Sequence, residues 1–213
     1  MEYWQHFHDT PSPIRPWQTF FDAQMPDGRH LRLPLRDMGA TAVAGLIVNQ
    51  ASFTVTDHLA TWLAQTVAPL QPDLVVALPT LGHITGSTLA RALGHPNWAA
   101  LGTSRKLWYD ETLSTPLASI TTPGPGRRLW LDPRLLPRLQ NRRLLLVDDV
   151  TSTGASLRAG LTLLETAGLA PIGIAVTMLQ TNRWRTALPN IPIAAAFATP
   201  LLTRDEDGWT EAG

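Results

Sequence analysis

The sequence predicts an α/β fold, a mostly parallel five-stranded sheet flanked by helices. Three observations carry that expectation. Short apolar runs alternate with segments of helical spacing, which is how parallel strands covered on both faces are written. Of 213 residues, 44% are hydrophobic and 16% charged, so there is apolar surface for a core and too little charge for a disordered chain. Finally, one apolar run, Leu144-Leu145-Leu146-Val147, ends in two acids followed by small and hydroxylated residues before a helix opens. Ligands of open parallel sheets bind at such strand ends.

The elements follow in order. Pro26-Asp27-Gly28 is a turn, proline presetting one angle and glycine accepting positive φ, and it closes a hairpin whose second strand alternates Leu31, Leu33 and Leu35 with polar partners. A further strand spans Val43 to Val48. Helical spacing begins after Thr56, a candidate N-cap, with Leu59, Leu63 and Val67 on one face and Pro69 as stop. Strands are expected at 73–78, 98–101, 144–147, 172–178 and 191–198. Helices are expected over 85–93, ended by Gly94 and Pro96, and over the stretch with Leu157, Leu161 and Leu164, ended by Gly168 and Pro171. Between Leu101 and Leu144 helical period is weak, and loops that long are uncommon unless functional. Residues 104–130, with a Pro123-Gly124-Pro125-Gly126 turn, are therefore expected to form a flexible lid built as a loose hairpin.

Composition excludes several classes. Seventeen basic and seventeen acidic residues give zero net charge, which argues against a chain that binds nucleic acid or an anionic membrane. The absence of cysteine excludes disulfides, cysteine-ligated zinc, iron–sulfur clusters and thiol catalysis. Met1 to Thr10 lack an apolar signal core and no stretch approaches a membrane span, so a cytoplasmic protein is expected.

The chemistry concentrates in Asp148-Asp149-Val150-Thr151-Ser152-Thr153-Gly154-Ala155-Ser156. Backbone N–H groups and hydroxyls converging at a helix N-terminus make a phosphate cradle, in which Gly154 leaves room for close backbone approach. Two acids beside it would repel phosphate. They must serve something else on the same ligand, either sugar hydroxyls or a magnesium ion held through water.

This string resembles the phosphoribosyl pyrophosphate (PRPP) signature of the type I phosphoribosyltransferases. The resemblance implies that Asp148 and Asp149 hold the ribose of PRPP, with Mg2+ through water, and that Thr151 to Ser156 wrap its 5′-phosphate. Leu78-Pro79-Thr80-Leu81-Gly82 sits where the family has its pyrophosphate loop, and Gly86-Ser87-Thr88-Leu89-Ala90 continues as in the adenine enzymes, although those carry arginine where this chain has Leu81. Ser104-Arg105-Lys106, with the chain's single lysine, is similar to the Arg-Lys pair that opens the flexible loop of the purine enzymes and binds pyrophosphate, often across a dimer interface. Asn49 matches the hood asparagine with which xanthine enzymes read the purine, and an amide offers both donor and acceptor. Trp184 is a candidate for stacking on the base. Leu179-Gln180 replaces the acid and lysine of the xanthine enzymes.

The resemblance implies a single domain over 1–213. Residues 1–42 are an N-terminal extension and part of the hood, 43–178 the core with its lid, and 179–213 a C-terminal hood part and tail. It implies transfer of a phosphoribosyl group from PRPP to a purine base in purine salvage by a homodimer, with catalysis by Asp148, Asp149, Lys106 and Arg105. A PRPP-binding regulator without transferase activity and an orotate-type pyrimidine enzyme are the alternatives.

Overall fold

The computed structural model describes residues 2–117, 127–188 and 190–212. An antiparallel hairpin opens the fold, β1 (Phe20–Gln24) with β2 (His30–Asp37), turned at Pro26-Asp27-Gly28 as the sequence predicts. β3 (Thr41–Ala44) returns along β2 and stops earlier than the strand expected over 43–48, because Val48–Gln50 wind into a 3-10 turn. α1 (Phe53–Val67) follows. Its N-cap is Ser52, whose Oγ accepts from Val55 N at 3.2 Å, four residues before the expected cap. The apolar pattern misses that first turn because Phe53 is 86% exposed and Thr56 donates its hydroxyl back to Phe53 O.

From there strands and helices alternate: β4 (Leu74–Ala77), α2 (Gly82–Ala92), β5 (Ala99–Ala100), a hairpin of β6 (Ser114–Pro116) and β7 (Arg128–Trp130), α3 (Leu136–Leu139), β8 (Leu144–Thr151), α4 (Ala155–Thr166), β9 (Pro171–Gln180), α5 (Trp184–Ala187) and β10 (Ile193–Thr199). Five strands form the core sheet in the order β10-β9-β8-β4-β5, and each neighbouring pair is parallel. Alternate residues of each strand feed two apolar layers. Val75, Leu145 and Val147 pack in the layer that holds α1 and α2, whereas Val76, Leu144 and Leu146 pack with Leu157, Leu161 and Leu164 of α4. No helix among the described residues is long and apolar enough to cross a membrane.

β11 (Leu202–Asp205) and β12 (Gly208–Glu211) complete a second, antiparallel sheet in the order β1-β2-β3-β11-β12. Reciprocal backbone hydrogen bonds of 2.9 and 2.7 Å between Trp17 and Trp209 join its two ends. This sheet is the hood, and it narrows the C-terminal hood part expected within 179–213. Residues 193–199 are an edge strand of the core sheet, and 202–211 take the hood role. The tail is hard to read as strands because acids and Arg204 surround only two buried apolar residues, Leu202 and Trp209.

The segment expected as a loose lid is also corrected in part. Leu113, Leu129, Trp130 and Leu131 are buried, and Trp130 exchanges backbone hydrogen bonds with Gly102, so the base of this hairpin is docked core. The Pro123-Gly124-Pro125-Gly126 turn lies outside the described residues.

α2 lies so close to β4 that a Cβ on Gly86 would sit 2.5 Å from Ala77 Cβ. Gly86→Ala should overpack this contact and cost about 1–3 kcal/mol, read as a lowered urea midpoint at unchanged slope. An unchanged midpoint would show that α2 can move off the sheet freely.

Candidate functional site

β8 lies at the centre of the core sheet, between β9 and β4, and its end delivers Asp148 and Asp149. Asp148 is 7% exposed and accepts from Asp149 N at 2.9 Å through Oδ1. The first residue of α2 is pressed against it, since a Cβ on Gly82 would stand 2.7 Å from that same Oδ1. Burial, with the Asp149 charge beside it, pushes the Asp148 carboxyl well above the usual carboxylate range. Burial raises Asp149 as well, opposed by its hydrogen bond with Asp148. The pair is therefore biased toward keeping a proton.

Beyond the acids β8 ends at Thr151, the chain turns through Ser152 and Thr153, and α4 opens after Gly154. The first backbone N–H groups of a helix lack intrahelical partners, so this turn presents donors and hydroxyls together. Gly154 adopts φ +79°, and a Cβ there would lie 3.1 Å from Ala187 Cβ and Leu188 Cδ1. Left-handed backbone and contact with α5 and the residue after it thus give Gly154 a structural need for glycine besides the expected room for a ligand.

A cavity of about 590 Å³ separates this cradle from the hood. Residues 150–156 line one wall, and Pro34, Arg36, Leu46, Ile47 and Trp4 are among those lining the hood side. Gln180 Nε2 donates to Ala44 O at 2.7 Å and ties the end of β9 to the hood. Arg183 reaches over the cradle, its Nη2 donating to Ser152 Oγ at 2.8 Å. Two of the residues lining the cavity are arginines and none is an acid. The site suits an anionic ligand.

The structure brings together only part of the expected constellation. Val150, Thr151, Ser152, Thr153, Gly154, Ala155 and Ser156 line the cavity, with Asp148 and Asp149 just behind them. Pro79, Thr80, Leu81 and Gly82 leave the adjacent strand through a cis Pro79–Thr80 peptide and meet the site through Gly82. Arg105 and Lys106 do not line the cavity: Arg105 pairs with Glu111 at 2.5 Å and Lys106 is exposed. Asn49 is exposed on the 3-10 turn and also stands off the cavity. Trp184 is corrected as a stacking residue, because its ring is buried and its Nε1 donates to Thr181 O at 3.0 Å.

Arg183 and Trp4 are the residues that sequence reasoning misses. Arg183 had a signal, since it follows the end of a parallel strand next to β8. Trp4 had none, because its contact with Gly45 spans 41 residues. Among the described residues no group of three or more His, Asp or Glu side chains is placed to hold a metal. Two carboxylates fit a magnesium ion that keeps waters and substrate oxygens as its other ligands.

Residues 46–190 match the phosphoribosyl transferase domain family. The adenine phosphoribosyltransferase of Rhodococcus jostii (strain RHA1) is 31% identical over 111 residues, 51% of this chain, and the chain spans only 58% of that relative's length. The adenine phosphoribosyltransferase of Thermoanaerobacter pseudethanolicus has a similar structure, with TM-score 0.58 and 22% identity over 68% of this chain and 81% of that one. The enzyme of Giardia lamblia complexed with 9-deazaadenine gives TM-score 0.58 and 21% identity over 68% and 80%. At such identities the two structures speak for the fold.

Two measurements test the site. The folded Asp148 pKa lies above the unfolded value of about 3.9, so the folded state holds a proton that the unfolded chain releases. The pair's contribution to stability is present below the unfolded pKa and is lost as pH rises through the folded one. The melting temperature of the wild type should fall from pH 5 to pH 8 more steeply than that of Asp148→Asn; equal slopes would remove the raised carboxyl. Arg183→Gln should weaken ribose 5-phosphate binding about tenfold or more, the scale of one hydrogen bond to a charged group, at unchanged melting temperature. Calorimetric affinity within twofold of wild type would take the guanidinium off the phosphate.

Proposed function

The chain belongs to the phosphoribosyl transferase family, and from that membership we propose that it transfers the 5-phosphoribosyl group of PRPP to a purine base and releases pyrophosphate. One observation carries the reading: a carboxylate pair at the end of the central strand, Asp148 buried and Asp149 half-buried, directly before a glycine-turned hydroxyl cradle that opens into a cavity free of acids among its lining residues. Phosphate belongs in the cradle, where Arg183 adds charge to the backbone donors of α4. Asp148 and Asp149 accept from the ribose hydroxyls, a role that needs ionised carboxylates and that burial opposes by raising both groups. The backbone of 79–82 faces the pyrophosphate. That leaves the hood side for the base.

In the reaction the bond from the ribose anomeric carbon to the pyrophosphate oxygen breaks and a bond to a ring nitrogen of the base forms. The nitrogen loses its proton and pyrophosphate carries away the electron pair. Positive charge develops on the ribose ring, so positioning and charge stabilisation carry the catalysis. Magnesium held through water by Asp148 and Asp149 would supply charge neutralisation of the leaving pyrophosphate. Arg105 and Lys106 belong to the same proposal as cations for that group, delivered between the two copies of a homodimer.

A second reading, PRPP binding without transfer, is favoured by the same pair. Arg105 is ion-paired and Lys106 exposed, while Leu81 stands in the pyrophosphate loop, so no cation among the described residues lines the cavity apart from Arg36 and Arg183. Pyrophosphate release from PRPP and magnesium, with adenine, guanine, hypoxanthine, xanthine, orotate and uracil offered singly, decides. Release with at least one purine and with neither pyrimidine is expected. PRPP binding by calorimetry without release on any base would leave the binding reading standing alone.

A further inference from the structure

The residues before Phe20 precede the family match, yet one of them reaches the cavity. Trp4 lines it from the hood side together with Leu46 and Ile47. Its backbone sits at φ +62°, a left-handed conformation that bulky residues rarely take. Both of its polar groups are engaged. Nε1 donates to Gly45 O at 3.0 Å, and its carbonyl accepts from Ser52 N, the N-cap residue of α1, at 3.1 Å.

Residues 5–8 continue from Trp4 as a strap that is fastened just as firmly. Gln5 Nε2 donates to Gln50 O at 2.7 Å and Ser52 Oγ to Gln5 O at 2.7 Å. The Phe7 ring stands 5.5 Å from that of Trp62 on α1, and His8 exchanges two backbone hydrogen bonds of 2.8 Å with His30. A strap pinned at Trp4 itself and through the residues that follow it holds that ring in place. With its N–H engaged, the indole offers a ligand only carbon faces and edges, which suit a planar heteroaromatic ring and discriminate against a bare sugar phosphate.

We infer that Trp4 is a specificity-determining residue, the wall of the hood end of the cavity against which the base of the ligand packs. The inference rests on the donor and acceptor reading above. A phosphate in the cradle, beside Arg183, directs the remainder of its ligand toward Leu46, Ile47 and the indole. The strap then adds affinity for the base and none for the phosphoribosyl part. Such selectivity would originate outside the region shared with the family.

The test compares ribose 5-phosphate with adenosine, inosine and guanosine 5′-monophosphates by calorimetry in wild type, Trp4→Leu and Trp4→Phe. Wild type should bind at least one nucleotide more tightly than ribose 5-phosphate. Trp4→Leu should lose about fivefold or more of that preference, the lower end of what base–aromatic stacking gives, while its ribose 5-phosphate affinity stays within twofold. Trp4→Phe, which keeps a ring, should retain the preference. A Leu variant with the full preference overturns the inference, and so does one that loses ribose 5-phosphate binding to the same degree, which would make Trp4 a fold anchor. A wild type that binds ribose 5-phosphate but no nucleotide more tightly overturns it while leaving the cradle intact. If wild type binds none of the four compounds, the reading of the site fails and the inference falls with it.

Discussion

Burial of the Asp148 carboxyl against the start of α2 is the constraint on which the site depends. A carboxyl withdrawn from water resists ionisation, and here Gly82 is close enough that a Cβ would collide with its oxygen. The helix that covers β4 must therefore begin with glycine. One turn later Gly86 is required again, by contact with Ala77. Part of the glycine pattern that resembles a ligand motif is thus demanded by packing α2 onto the sheet, and a second part, Gly154, by left-handed backbone and contact with Ala187 and Leu188.

This burial also resolves an electrostatic conflict. Two acids beside a phosphate cradle should repel the ligand, and a chain with zero net charge has no global field to offset them. Neither acid is among the residues lining the cavity, burial shifts their titration toward the protonated form, and Arg36 and Arg183 are among the lining residues. On the proposed reading, a phosphate entering the cavity meets positive side chains and backbone N–H groups.

The core sheet was legible because β4 and the first half of β8 bury unbroken apolar runs and the helices that follow them have a clear period. The run from Leu144 to Val147, the alternation at Leu31 and Leu33 and the helix through Leu157, Leu161 and Leu164 all stand where the pattern places them. The cradle was legible for a different reason: it is contiguous, so one stretch of sequence carries all of it. The hood was not. Its sheet is assembled from both ends of the chain, and pairs such as Thr41 with Thr203 leave no local trace. Asn49 was read from a resemblance in position and Trp184 from residue type at a plausible place. Type does not say which way a side chain faces, and Trp184 turned inward because its indole N–H finds Thr181 O there.

Joining both ends of the chain in one sheet has a physical rationale. An open antiparallel sheet above a binding cavity would present two unpaired edges, each a template for unwanted pairing. Reciprocal bonds between Trp17 and Trp209 satisfy part of both outer strands at once. Closure also fixes β3, whose Ala44 carbonyl holds Gln180, and the following turn, whose Gly45 carbonyl holds Trp4. The hood is thereby fastened to the core sheet on one side and to the strap on the other. Its position over the cradle is set by contacts between segments that sequence keeps far apart, and this is why the cavity's depth and its aromatic wall exist only in the folded chain.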